Sequence, residues 1–406
     1  MTFAQLWAEL AGIGREELTG GYRRYSWTPA DAACRGWFAR TATRLGLRTD
    51  CDRNGNLWAW WGRPAGGGGA AVVTGSHLDS VPDGGAFDGP LGVVSAFAAI
   101  SDLRAAGFQP ARPIAVAAFV EEEGARFGVA CLGSRLLTGA VSPAAARELR
   151  DQDGISLVDA MRSAGRSPEA IGPDDELLAG IGAYIELHIE QGSALAGLGA
   201  AVAVAEGIWP HGRWRLDFTG RPDHAGTTRL VDRRDPMLPY AATVLAARAA
   251  AERCGALATF GKVVAEPGAA NAISSKVHAW LDARAPDEAT LEQLVTDVWA
   301  AAQSAASEHG VAVGRRRESL TPPVSFDAGL RQRLVGVLAA AGFPAPVLPT
   351  GAGHDAGVLA ARIPTAMLFV RNPTGISHSP AEHAEMADCE AGVAALTAVL
   401  ADLAGE

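Results

Sequence analysis

Residues 72–92 read VVTGSHLDSVPDGGAFDGPLG, and the fold of the chain turns on them. The β-branched apolar run that leads into Gly75-Ser76-His77-Leu78-Asp79 has the pattern of a buried strand and its carboxyl end. A glycine-rich loop carrying Asp83 and Asp88 follows, and then an alanine-rich helix from about 91 to 106. In open α/β sheets, ligand sites form beyond the carboxyl ends of strands. His77 and Asp88 at such an end, with glycines that let the backbone come close, have the chemistry of two metal ligands. Taken alone, the stretch fits a hydrogen-bonded histidine beside an Asp-Gly turn better than a metal site, so the surrounding sequence has to decide.

Upstream, residues 2–10 and 28–45 have helical periodicity around the turn-rich GGYRRYSWTP; residues 56–61 form a short aromatic strand and 63–69 a loop. Downstream, PIAVAAFV (113–120) is a second buried strand ending in Glu121-Glu122-Glu123, and AYIELHI (183–189) is a third ending in Glu190-Gln191-Gly192. Residues 142–178 read as a polar, helical surface excursion. Buried strands alternating with helices predict βαβ units and a mostly parallel, mixed sheet. Past residue 207 the pattern changes. Residues 213–220 alternate as an antiparallel strand does, with further strands at 259–264, 275–284 and 311–320 and helices at 238–254 and 290–309. That makes an α+β insert of two helices over an antiparallel sheet. After Pro322-Pro323 come a helix at 327–341, a buried strand at 364–370 and a closing helix at 384–403. The expected organisation is an α/β domain made of 1–208 and 323–406, interrupted by an insert at 209–322.

With 406 residues, 48% hydrophobic and 20% charged, the chain has material for more than one core. A formal charge of −10 argues against nucleic acid and anionic membranes as partners. The tight basic cluster Arg315-Arg316-Arg317 fits a solvated strand. Cys34, Cys51, Cys131, Cys254 and Cys389 are scattered and form no CxxC pair, which favours reduced thiols, a cytoplasmic setting and a site without thiolates. The amino terminus does not read as a signal peptide, and no apolar run reaches membrane-spanning length.

Glu122-Glu123, His188 and His378 also lie at strand ends or in the loops that follow. With His77 and Asp88 they supply ligand types for two divalent ions: one Asp bridging, His77, His188 or His378, and Glu123 completing the shells. Two +2 ions against Asp88 and Glu123 leave a formal excess of about +2, which lowers the pKa of a bridging water and stabilises an oxyanion. Glu122 would then carry the proton from water to the leaving nitrogen. Each residue also has a plainer reading: a solvated acidic strand end for the glutamates, a buried imidazole bonded to backbone for His188, a loop histidine for His378.

The set GSHLDSVPDGGAFDG, EEEGARFG, ELHIEQG, GRPDHAGTT, GAANAISSKV, GAGHDA and GISHSPAEH resembles the M20-type dinuclear metallohydrolases. More narrowly it looks like the branch containing allantoate amidohydrolase, N-carbamoyl-L-amino-acid hydrolase and β-ureidopropionase, over nearly the whole chain. The resemblance implies a zinc-peptidase-like catalytic domain, with the insert serving as lid and dimerisation domain of a homodimer. His77 and His188 would hold one metal and Glu123 and His378 the other, with Asp88 bridging. Glu122 would be the general base, and the Asp79 carboxylate would orient His77. His224 would reach the partner subunit's site to stabilise the oxyanion, Gln191 and His354 would line the carbamoyl pocket, and Asn271 and Arg284 would hold the substrate carboxylate. Zinc or manganese is expected first, cobalt or nickel next. The implied reaction is attack of a metal-bridging hydroxide on an N-carbamoyl or ureido acid, allantoate foremost, releasing ammonia and carbon dioxide. An N-formyl or N-formimino amino acid hydrolase, a dipeptidase or deacylase, and a silent binding homologue are the alternatives. The segments GGYRRYSW and 371–374 depart from the branch's usual pattern and are expected to border the pocket for the substrate side chain. Asp355 reads as a helix cap.

Overall fold

A computed structural model of the chain describes residues 1–62 and 70–405; the loop expected at 63–69 lies outside them. The chain forms two compact units, Met1–Gly207 with Ser325–Glu406, and Ile208–Val324. Along the chain run β1 (Arg48–Cys51), β2 (Leu57–Trp61), β3 (Ala71–His77), β4 (Ile114–Phe119), β5 (Ile181–Ile189) and β6 (Val202–Ile208). Then come β7 (His211–Thr219), β8 (Asp223–His224), β9 (Leu257–Glu266), β10 (Ala272–Ile273), β11 (Lys276–Arg284) and β12 (Ala312–Thr321), followed by β13 (Val324–Ser325), β14 (Val347–Thr350) and β15 (Thr365–Val370).

The large sheet has the order β1-β2-β4-β3-β5-β15-β6-β13, with β14 also paired to β6. Its middle four strands, β4-β3-β5-β15, are parallel, while β1/β2, β2/β4 and β15/β6 are antiparallel. Every residue of β3, β4 and β15 is buried, as expected of parallel strands covered by helices on both faces. The helix Pro90–Ala105 shows why. Thirteen of its sixteen residues are buried, so it has no polar face and is wedged between the sheet and the closing helix Met386–Ala404. Pro90 opens it at the first helical position, where the missing N–H costs nothing.

In the second unit β12-β7-β11-β9 form an antiparallel sheet. Trp214, Leu216 and Phe218 on β7 and Val277, Leu281 and Ala283 on β11 share its buried face, packed with residues of the helices Met237–Cys254 and Glu288–Glu308. On the alternate residues of β7 and β11 lie charged and aromatic groups, with Arg215 and Lys262 both against the Trp280 ring. The arginines of 315–317 are exposed on β12. Among the described residues no helix is long and apolar enough to cross a membrane.

Residues 142–178 differ from the single polar excursion read in the sequence. Two short helices (Pro143–Arg147 and Leu157–Ser163) bury Ala146, Leu157, Ala160 and Met161 with Phe127, Leu132 and Leu136 in a core of their own, and a third (Asp175–Ala179) buries Leu178. Pro143, Gly154, Gly165 and Pro168 cut what composition suggests is one helical run. Strands β1, β6 and β14 also escaped the sequence reading, being short or lacking clean alternation.

Phe97 is fully buried and meets Trp37 and Phe38 edge-on, with ring centroids at 5.8 and 5.0 Å. The replacement Phe97→Ala is expected to cost about 3–5 kcal/mol, measured by chemical denaturation of the first unit's transition.

Candidate metal centre

The four parallel strands end at one place, and the residues picked out by the motifs gather there. His77 is the last residue of β3 and His188 the penultimate residue of β5. With Gly75 opposite Glu186 in the register, the two imidazoles come side by side, 5.9 Å between centroids. The Glu121–Glu123 turn follows β4, and His378 stands in the loop after β15. His77, Asp88 and His188 bring ligand atoms within 4.8 Å of one another, and so do Asp88, Glu123 and His378; Asp88 is common to both.

Hydrogen bonds set which imidazole nitrogens face the cluster. His77 Nδ1 lies 3.1 Å from the Asp79 carbonyl and His188 Nδ1 2.8 Å from the Ile189 carbonyl. A carbonyl only accepts, so both rings carry a proton on Nδ1 and turn the other ring nitrogen, Nε2, inward. The two Nε2 atoms approach Asp88 Oδ1 at 3.4 and 3.1 Å, yet both are buried and neither is aligned for a hydrogen bond. His378 Nε2 sits 3.3 Å from the other oxygen, Oδ2, and 3.6 Å from Glu123 Oε2. Buried imidazole nitrogens without hydrogen-bond partners, aimed at a shared carboxylate, suit a metal-binding donor set.

Two glycines make this possible. A Cβ on Gly89, whose φ is +85°, would stand 2.4 Å from the His77 ring, and one on Gly85 would stand 2.4 Å from Glu382. The backbone is also held in the left-handed region at Glu121, Cys131, Gln191 and His378, four of the six described non-glycine residues there. Such strain collects where the surroundings fix a site.

The acids respond to burial. It works against the charge of Asp88, but His188, His378 and His77 outweigh it and hold this carboxyl well below its usual range. Burial, then Asp88, pushes Glu123 up to about 7. Burial drives Glu122 well above its normal value; His77 offsets this in part, and Asp355, Glu123 and Asp79 add to it. The Glu122 carboxylate accepts a 3.3 Å bond from the Cys131 thiol and puts Oε2 3.7 Å from His77 Nε2, beside the ligand groups but outside both triads. The Asp79 carboxylate takes the main-chain N–H groups of Glu122 (3.2 Å) and Glu123 (3.1 Å), while His77 is held by the Asp79 carbonyl. The expectation had this carboxylate orienting the imidazole, from which it stands at 3.5 Å.

Gln191 gives its amide nitrogen to Asp88 Oδ2 (2.7 Å) and to Ser377 Oγ (3.3 Å), leaving Oε1 buried without a partner. His354 packs 4.4 Å from the His188 ring with Nε2 likewise unpartnered, and burial followed by His188 holds its pKa well below normal. Asp355 is not a cap: it is the first residue of the helix Asp355–Leu359 and accepts from Ser134 across the core. Glu186 and Glu382, which border the site, lie inside ELHIEQG and GISHSPAEH but were given no role there, and Cys131 lies outside the quoted motifs.

The remaining residues lie in the second unit. β8 pairs with β10, setting His224 opposite Ala272, and the Asn271 carbonyl accepts from Ala225 N, so His224 and Asn271 are neighbours. Arg284 ends β11 and pairs with Asp282 at 2.8 Å. It faces His211, whereas the other end of β11, Lys276, faces Thr219, eight residues or about 27 Å away. Asn271 and Arg284, expected to act together on a carboxylate, therefore belong to opposite ends of this sheet.

Comparison with known proteins gives the family. The model of Peptidase family M20/M25/M40 matches residues 73–402. The chain belongs to this family. Within the family it is 35% identical to the N-carbamoyl-L-amino acid amidohydrolase of Geobacillus stearothermophilus, over 97% of this chain and 96% of that one. It is 34% identical to the allantoate amidohydrolase of Bacillus subtilis, over 89% and 87%. A crystal structure of a hydantoinase/carbamoylase family amidase from Burkholderia ambifaria superposes with a TM-score of 0.86 at 31% identity, covering 100% and 98%. The segments that depart from the family branch's usual pattern turn out to be braces. Arg23 pairs with Asp83, Ser26 bonds Glu121, Arg371 pairs with Asp388, and Asn372 caps its own turn.

Gly89→Ala is expected to destabilise the protein by roughly 1–3 kcal/mol through its backbone conformation and to displace His77 as well. Gly107, with φ +72° and nothing within 4 Å of a new Cβ, is the control. Thermal unfolding should show Gly89→Ala losing more than Gly107→Ala.

Proposed function

We propose that the protein is an amidohydrolase that cleaves a linear, non-peptide C–N bond in an N-carbamoyl or ureido acid, allantoate first and an N-carbamoyl-L-amino acid second, giving ammonia and carbon dioxide. The observation that carries this reading is Gln191. An ionised Asp88 accepts only, so the Gln191 amide nitrogen faces it and the buried Oε1 is left as an acceptor at the site. An acceptor there is satisfied by the NH₂ on a carbamoyl carbon, whereas a formyl carbon offers only C–H. A buried acceptor left unpaired costs about 1–3 kcal/mol, enough to discriminate.

In this reading His77 and His188 hold one divalent ion, Glu123 and His378 hold a second, and Asp88 serves both. Zinc or manganese is the first choice and cobalt or nickel the next. Such ions supply Lewis acidity that activates water and offsets charge on the substrate oxygen. Glu122 takes the water's proton at its carboxylate and returns it to the leaving nitrogen, a task suited to a carboxyl raised by burial. His354 gives the substrate a neutral imidazole edge. Arg284 pairs its guanidinium with the substrate carboxylate.

His224 accepts the Gly226 N–H at Nδ1, which leaves its proton on Nε2 as a donor for the developing oxyanion. It stands with Asn271 beyond the Lys276 end of β11, whose eight-residue rise to Arg284 is about 27 Å. One small substrate does not reach both ends of a single sheet. The two groups therefore serve one substrate only if they come from two copies of the chain, which supports a homodimer joined through the second unit. The five free cysteines support a cytoplasmic setting.

Metal-loaded protein would be offered allantoate, N-carbamoyl-L-amino acids, N-formyl- and N-formimino-glutamate and a dipeptide, with ammonia, formate and free amino acid read separately. Ammonia from a carbamoyl or ureido acid is the expected result. Formate without ammonia, or turnover of the dipeptide alone, overturns the substrate class, and silence across the panel with metal bound overturns catalysis. Glu122→Gln should abolish turnover with metal content near that of the parent protein, measured by elemental analysis. His224→Ala should cost ~3 kcal/mol in kcat/KM, and mixing it with a Glu122 variant should restore part of the activity through hybrid dimers.

A further inference from the structure

Glu382 lies four residues beyond His378 and is 5% exposed. Its Oε1 accepts two consecutive main-chain N–H groups, those of Phe87 (2.8 Å) and Asp88 (2.9 Å). Its Oε2 accepts the Ser377 hydroxyl at 3.0 Å. Ser377 Oγ is also 3.3 Å from Asp88 Oδ2 and receives the Gln191 amide at 3.3 Å. The contact is built for closeness, because a Cβ on Gly85 would collide with the Glu382 side chain at 2.4 Å.

These bonds tie together two segments almost 300 residues apart in sequence. One carries Asp88, the carboxylate common to both triads. The other carries His378, whose backbone is left-handed (φ +54°) and whose side chain is half exposed. His77 and His188 need no such tie, since each is fixed by its own strand and by a carbonyl one or two residues on. The loop histidine has no strand behind it.

We propose that Glu382 is a positioning residue that sets the separation between Asp88 and His378, and so selectively builds the Asp88–Glu123–His378 pocket for the second ion. The inference rests on the dimetal reading above. Both oxygens of one buried carboxylate are used. Oε1 fixes the main chain of the shared ligand, and Oε2 fixes the residue before the loop ligand through a hydroxyl. Outer groups of this kind typically change metal affinity 10–100-fold when removed.

The test is a zinc titration of the metal-free protein against a chromophoric chelator, with thermal unfolding in parallel. The parent protein should take up two equivalents. Glu382→Ala should keep one equivalent at parental affinity and bind the second at least tenfold more weakly. Glu382→Gln retains an acceptor for the two N–H groups but turns a donor toward Ser377, so it should fall between them; Ser377→Ala, the mildest change, should weaken the same equivalent. Two parental equivalents in Glu382→Ala, or equal weakening of both, overturn the inference. If Glu382→Ala fails to fold, the same criteria apply to Glu382→Gln and Ser377→Ala. A parent protein that binds no zinc overturns the dimetal reading itself, and one that binds two while all three variants match it overturns only the role of Glu382.

Discussion

A carboxylate taken out of water costs several kcal/mol unless its charge and lone pairs are met, and Asp88 is almost wholly buried. Much of the first unit's architecture answers that cost. Three imidazoles converge on Asp88 from β3, β5 and the loop after β15. The Gln191 amide and the Ser377 hydroxyl complete its coverage, and Glu382 fixes its main chain. The helix that starts two residues later is buried on nearly all sides, so the carboxylate is anchored to the least adjustable element of the unit.

Other carboxylates repeat the device. Asp79 holds the N–H groups of Glu122 and Glu123, and Glu121 holds those of Arg126 and Phe127. Each acid grips a pair of consecutive amides in a turn that has no strand to order it. Charge-assisted bonds to backbone are stronger than neutral ones, and they fix main chain rather than side chain. The left-handed backbone at Glu121, which directly precedes the first gripped pair and itself grips the second, is thereby held in place.

The parts of the site legible in sequence were those encoded locally. A strand end followed by His77, the glycine-rich loop to Asp88, the glutamate run after β4 and His188 near the end of β5 each announce themselves within a few residues. His378 stood out as an imidazole in the loop after the last buried strand, and the family resemblance supplied Gln191 and His354. The roles of Glu186 and Glu382, though both stand inside motifs, were not legible, because their bonds to Ser76, Ala356, Phe87 and Asp88 join segments far away in sequence. The same limit explains the misread cap at Asp355, whose hydroxyl partner belongs to another helix. The separation of Asn271 from Arg284 needed the register of β11. In the fold, the parallel strands and long helices were plain from periodicity. The short helices of 142–178 were not, since the core they share is completed by Phe127, Leu132 and Leu136 from outside the segment.

The second unit's sheet presents the proposed substrate-facing groups at its two ends and almost nothing chemical between them except a ladder of ion pairs and Trp280. Its length then acts as a ruler. Lengthening β7 and β11 by a residue pair would move His224 and Asn271 outward by close to 7 Å while Arg284 stayed put. Under the homodimeric reading, this makes strand length, rather than pocket chemistry alone, a setting on which substrate size depends, and insertions there would be read out as altered specificity with the metal ligands untouched.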